Sequence, residues 1–157
     1  MTLLKTISGV MSEVLGSQHF IACDFINAIK YLGAAFYNDP GNVGIHKKLI
    51  ICYAMTGNVE RSLDLFISMI NKNPFVIINT GISDDDCPCP YLTEKIKKEN
   101  IDNLGSADYF NILGELYLYC DLNESIAWFR KSIAFDKDQP RINSIIRVLT
   151  NLKVNNF

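Results

Sequence analysis

The chain has 157 residues, of which 48% are hydrophobic and 20% charged, and its formal net charge is −2. This composition is that of a folded chain of about one domain, and it excludes a disordered one. Without an excess of positive charge, we expect neither nucleic acid nor a membrane surface as the partner.

The cysteines and the N-terminal residues predict a compartment. Cysteine occurs at the odd number of five positions, 23, 52, 87, 89 and 120. The N-terminal residues lack the continuous apolar region of a signal peptide, and no apolar run is long enough to span a bilayer. We therefore expect reduced thiols and a cytoplasmic protein.

Apolar residues recur at helical spacing through the first half of the chain. Asp24 is predicted as an N-cap, because its carboxylate can accept from the first free backbone amides of a helix. Pro40 and Pro74 should end helices, since proline cannot continue one, and Gly57 should mark the turn between two of them. The predicted helices are 3–20, 24–37, 43–56 and 59–71.

The segment 75–105 breaks this pattern. Residues 75–82 contain several β-branched side chains and predict extended backbone. Pro88 and Pro90 exclude a helix around them. Pro90 can open a short helix over 91–100. Two more helices are predicted within 106–136, followed by a closing helix over 140–153 with one polar face.

One pattern of packing residues occurs at a fixed spacing. Phe110, Leu113-Gly114 and Tyr117 share a helical face, and the small Ser125 lies three residues before Trp128 and four before Phe129. Such residues let two antiparallel helices approach closely at Gly114. Equivalent positions recur 34 residues apart upstream, as in the pairs Leu15 and Leu49, Ala28 and Ser62, and Pro40 and Pro74.

This sequence therefore resembles the tetratricopeptide-repeat family, whose unit has 34 residues. The resemblance implies an all-α fold: a right-handed solenoid of helical hairpins forming one domain over 1–157. The implied repeats are 9–42, 43–76 and 107–139, with an insert at 77–106 and a capping helix at about 140–153. Gly114→Leu should overpack the third repeat.

The resemblance also implies a function, which is binding of another protein or a peptide on the concave face and not catalysis. No cofactor is expected, and a homo-oligomer is left open. Phe20, Ile51 and Tyr119 should be partly exposed there, as apolar contacts for the partner. The implied partner-binding residues are Glu13, Ser17, Phe20, Lys47, Ile51, Met55, Asp108, Asn111, Glu115 and Tyr119.

Two alternatives involve other features of the chain. Three repeats in a chain of this length are also similar to a type III secretion chaperone. Cys87, Cys89 and Asp85 in the insert could ligate a metal or support an enzymatic role, although structural zinc normally takes four ligands. The competing interpretation is a proline-rich connecting loop with packing cysteines, in which Ser at positions 87 and 89 would leave folding intact.

Overall fold

The computed structural model describes residues 2–81, 84–99 and 105–156, and this part of the chain is all-α, without a β-strand. Residues 82, 83 and 100–104, which belong to the predicted insert, lie outside the described residues. The helices are α1 (Thr2–Ile21), α2 (Phe25–Asn38), α3 (Val43–Met55), α4 (Val59–Lys72), α5 (Phe75–Ile78), α6 (Tyr91–Glu99), α7 (Ser106–Tyr117), α8 (Leu122–Ser132) and α9 (Gln139–Asn156).

The predicted helices are confirmed apart from shifts of a few residues at their ends. The prediction of extended backbone from residue 75 onward is wrong. Residues 75–78 form one helical turn, α5. Pro74 has helical backbone angles, and its carbonyl accepts from the amides of Ile77 and Ile78 at 3.1 and 3.2 Å. The proline therefore starts a turn, and this local bonding outweighs the β-branched composition.

The chain divides into two compact units, residues 1–65 and 66–157. In the first unit, α1 packs on α2 and α2 on α3. Asp24 caps α2 by accepting from the amide of Asn27 at 3.3 Å. Asn42 caps α3 in the same way, and Gly57 turns the chain after α3 with a φ of 80°. The predicted cap at Asp24 and the predicted turn at Gly57 are both confirmed.

Helices α1 and α2 pack tightly at Gly16. A Cβ atom placed on Gly16 would lie 2.6 Å from Cγ of Leu32 and 2.8 Å from its backbone nitrogen. Ala28 and Leu32, which lie on the facing side of α2, are fully buried. A side chain at position 16 would therefore push the two helices apart.

In the second unit, α6 and α8 pack on α7, and α9 packs on α8. A Cβ atom on Gly114 would lie 2.7 Å from the Phe129 ring. The buried Ser125 hydroxyl donates to the Gly114 carbonyl at 2.6 Å. The predicted close contact of Gly114 with a small residue and an aromatic residue on the next helix is thus confirmed.

The last helix has one buried and one exposed side. Ile142, Ile145 and Leu149 of α9 are buried, whereas Asn143 and Arg147 are exposed. This amphipathic distribution is the one predicted for a closing helix.

Candidate functional site

Two helices, α3 and α7, are buried on most of their circumference. Eight of the thirteen residues of α3 are buried, and so are all six residues at 111–116 of α7. A helix that is apolar nearly all round is typically an interior helix. Neither helix can therefore present a broad open side to a partner.

This burial contradicts the exposure expected for the three apolar groove residues. Phe20 is 5% exposed and packs edge-on against Phe25, while Ile51 and Tyr119 are 0% exposed. The prediction is wrong because position within a repeat defines a side of a helix, but not whether other elements cover that side. These three side chains belong to the core.

Several polar groove residues also have structural partners. The side-chain amide of Asn111, which is fully buried, donates to Asp136 at 2.6 Å. Glu13 accepts from the Asn42 side chain at 3.3 Å, which ties α1 to the cap of α3. Of the implied partner-binding residues, Lys47, Asn111 and Glu115 are buried, and Glu13, Ser17, Met55 and Asp108 are half-buried.

Aromatic side chains do gather on the surface of the second unit, around the single tryptophan of the chain. The Trp128 ring stacks with Phe110 and Tyr117 at centroid distances of 6.0 and 6.3 Å. Lys131 lies 4.1 Å and Lys97 5.8 Å from its ring. Trp128 is half-buried, and Phe135 is exposed. We call this set the Trp128 surface: Lys97, Tyr109, Phe110, Tyr117, Trp128, Lys131 and Phe135.

Charge accompanies the rings in this surface. Lys97 donates a short hydrogen bond to the Tyr117 hydroxyl and lies 3.6 Å from Glu94. The bond to Tyr117 raises the pKa of the Lys97 ammonium above its ordinary value, so this lysine is charged at neutral pH. The spacing of Phe110, Tyr117 and Trp128 in the sequence predicts packing between helices, but not that the rings form a surface.

The insert is linked to the third hairpin by a disulfide between Cys89 and Cys120, with a Cα–Cα distance of 6.3 Å, within the usual range. Leu92 and Ile96 of α6 are buried in the same unit. The prediction that these cysteines are reduced packing residues is therefore wrong. Connectivity could not be predicted because position 120 meets the insert only in the folded chain.

The candidate metal ligands are not assembled. Cys89 is in the disulfide, Cys87 is half-buried, and Asp85 is exposed. Within residues 2–81, 84–99 and 105–156, no three His, Cys, Asp or Glu side chains are grouped as metal ligands would be. Burial raises the pKa of the Cys52 thiol to about 12, so it stays protonated and unreactive.

An extended apolar surface lies on α1, on the side turned away from α2. Its exposed side chains are Leu3, Leu4, Ile7, Val10, Met11, Val14, Leu15 and Ile21. Their spacing predicts the helix, but it does not predict that this side is exposed. The signal was available: Gly9 and Gly16, which meet α2, lie on the opposite side of the same helix.

A cleft of about 410 Å³ lies beside this helix in the first unit, between α1, α2 and the start of α3. Its charged lining residues are Lys5, Glu13 and Asp39. Within this cleft, the Glu13 carboxylate accepts a hydrogen bond from the Asn42 side chain at 3.3 Å, which is a structural contact.

No protein-family model, curated protein or solved structure matches the chain. Of the helices that the structure describes, none has both the length and the apolar character needed to cross a membrane.

Proposed function

We propose that the chain is a tetratricopeptide-like solenoid of helical hairpins that binds another protein or a peptide, and that it is not an enzyme. The repeated closing contact supports this proposal. Gly16 meets Leu32 in one hairpin, and Gly114 meets Phe129 in another, at equivalent places in the predicted repeats. Hairpins of this kind serve as binding scaffolds when they are stacked.

The Trp128 surface is the observation that carries the binding function. Tryptophan and tyrosine dominate the energetics of protein interfaces, because they bury a large area with few rotatable bonds. Lys131 is exposed beside the rings and can pair with a carboxylate. The surface therefore fits a peptide with an apolar side chain next to an acidic one.

A peptide-display selection on the folded chain tests this function. Because Trp128 is the only tryptophan, its fluorescence reports binding of each selected peptide at this surface. We expect Phe135→Ala and Lys131→Ala each to weaken binding by roughly tenfold, as is typical of an interface hot spot. Arg147→Ala on the exposed side of α9 is the matched control. Failure to select any peptide, or equal binding by all variants, would contradict the proposal.

The structure bears on one of the two alternative functions, the metal-dependent or enzymatic role of the insert. A metal-dependent or enzymatic role of the insert loses a ligand, because the Cys89 sulfur is bonded to Cys120 and a disulfide sulfur is not a thiolate. The secretion-chaperone-like role stays a prediction.

The cytoplasmic location expected from the sequence stays a prediction, and the Cys89–Cys120 disulfide of the structure weighs against it. Disulfides persist in oxidising compartments and are rare in the cytosol. Thiols alkylated at the moment of cell lysis, and identified by mass spectrometry, would show the state of Cys89 and Cys120 in the source cells. Alkylated Cys89 and Cys120 would support the location, and an intact bridge would count against it.

A further inference from the structure

The exposed side of α1 has the spacing of a coiled-coil seam. Positions 4, 7, 11, 14, 18 and 21 alternate in steps of three and four, which is the a/d pattern by which two helices pair. We call these six residues the α1 seam: Leu4, Ile7, Met11, Val14, Gln18 and Ile21. Five of the six are apolar, so most of this surface gains from being removed from water.

The α1 seam is strongly exposed within the described chain. Leu4 is 73%, Met11 60% and Ile21 61% exposed. Leu3, Val10 and Leu15 flank the seam and are exposed as well. Eight apolar side chains are thus exposed along one side of a single helix, and an apolar surface of this extent on a folded chain usually marks an interaction site.

The chemistry of this side fits a second copy of the same helix. Of its nine positions, which are the seam together with Leu3, Val10 and Leu15, none is charged. In a two-fold symmetric interface the same patch forms both sides, so any charge in it would need an opposite charge at the matching position of that same patch. An uncharged apolar seam is complementary to itself without that requirement. The single polar residue, Gln18, resembles the isolated polar position that sets the register of paired helices.

We propose that two copies of this chain form a dimer by pairing their α1 seams. The pairing removes Leu4, Met11 and Ile21 from water without changing the helix itself. This proposal concerns α1 alone and does not depend on the Trp128 surface.

The test is the mass of the chain in solution, measured by sedimentation equilibrium over a range of concentrations. We expect a species of twice the 17.7 kDa of the chain. The variant Met11→Asp with Val14→Asp, and its counterpart Met11→Lys with Val14→Lys, should each raise the dimer dissociation constant roughly 100-fold or more, because like charges would be buried together. Asn143→Asp with Asn151→Asp adds the same charge on the exposed side of α9 and should leave the dimer intact.

Mixing the Asp and Lys variants separates a second copy from any other occupant. Their opposite charges face each other whether the helices run parallel or antiparallel, so the mixture should form dimers that neither variant forms alone. Circular dichroism checks that each variant stays helical. A monomeric wild type, a dimer unaffected by the seam charges, a larger assembly, or a failure of the two variants to combine would each overturn the proposal.

Discussion

The hairpins α1–α2 and α7–α8 close in the same way. In each, a glycine on the first helix lies against a large residue on the second, Gly16 against Leu32 and Gly114 against Phe129. A small buried residue lies one turn earlier, Ala28 in one hairpin and Ser125 in the other. Serine adds a hydrogen bond to the Gly114 carbonyl, which alanine cannot make.

The two hairpins differ in what covers their first helix. Two residues before the glycine, Val14 is exposed and Ile112 is fully buried. Five residues after it, Ile21 is exposed and Tyr119 is fully buried. Both positions are apolar in both hairpins, although Tyr119 lies two residues beyond the end of α7. The sequence pattern alone therefore does not separate a covered side from an open one. The difference teaches that burial here depends on neighbours and not on local pattern.

The insert is one part of the cover in the second unit. Helix α6 packs on α7 and contributes the buried Leu92 and Ile96. The disulfide from Cys89 to Cys120 fixes the start of this helix beside the end of α7. In the described first unit α1 has no comparable cover, and its apolar side is exposed.

Of the predicted effects, removal of the disulfide between Cys89 and Cys120 should lower the free energy of unfolding most. The bridge spans 31 residues, and the chain-entropy estimate for such a loop is about 3–4 kcal/mol of unfolding free energy. Cys120→Ser should lose this amount in urea titrations, and hydrogen exchange should rise in α6 and α7 but not in α1 and α2. Cys87→Ser, which leaves the bridge in place, is the control. Equal stability of the two variants would mean that the link does not stabilise the cover.

The closing glycines should show the next largest effect. Gly16→Ala and Gly114→Ala should each cost about 1–3 kcal/mol, because a methyl group overpacks the contact. Gly16→Ala should cost more, since its Cβ meets the backbone nitrogen of Leu32, whereas that of Gly114 meets only a side chain. Gly114→Leu should cost still more than Gly114→Ala.

Gly33→Ala is the control for the glycine variants. A Cβ atom there meets nothing within 4 Å, and the residue lies inside α2. It should therefore stabilise the chain by about 0.5–1 kcal/mol through helix propensity alone. Unchanged thermal unfolding of Gly16→Ala or Gly114→Ala would remove the basis for treating the two hairpins as equivalent.

Local features of the fold could be predicted from the sequence. The cap at Asp24 and the turn at Gly57 depend on neighbouring residues, and the structure has both of them. The contact of Gly114 with Phe129 was also predictable, because the spacing brings the two residues together as soon as the hairpin forms. These features need no information from distant parts of the chain.

Features that depend on distant residues could not be predicted. The predicted exposure of Phe20, Ile51 and Tyr119 is wrong, because other parts of the chain cover these side chains. The Cys89–Cys120 bridge joins segments that meet only after folding. The open side of α1 was missed for the opposite reason, since apolar periodicity predicts an amphipathic helix without saying whether its apolar side meets the same chain.

The smallest expected effect is the loss of stability when the Asp24 cap of α2 is protonated at acid pH. The Asp24 carboxylate accepts from the side chain of Asn27 at 2.7 Å and from its amide at 3.3 Å, and it lies 3.0 Å from Nδ1 of His19. These hydrogen bonds, those from Asn27 first, hold the pKa of Asp24 below its ordinary value. The stability that the ionised group contributes is therefore present above the ordinary pKa of aspartate and is lost as the pH falls through the lowered one.

Asp24→Asn keeps a capping oxygen without the charge. We expect the wild type to melt slightly higher than this variant at pH 7, and the difference to shrink as the pH falls below the ordinary pKa of aspartate, about 3.9, and to vanish only below the lowered pKa of Asp24. Thermal unfolding of both proteins from pH 7 to pH 2 measures the difference. A difference that stays constant across this range would show that the cap at Asp24 acts by its shape and not by its charge.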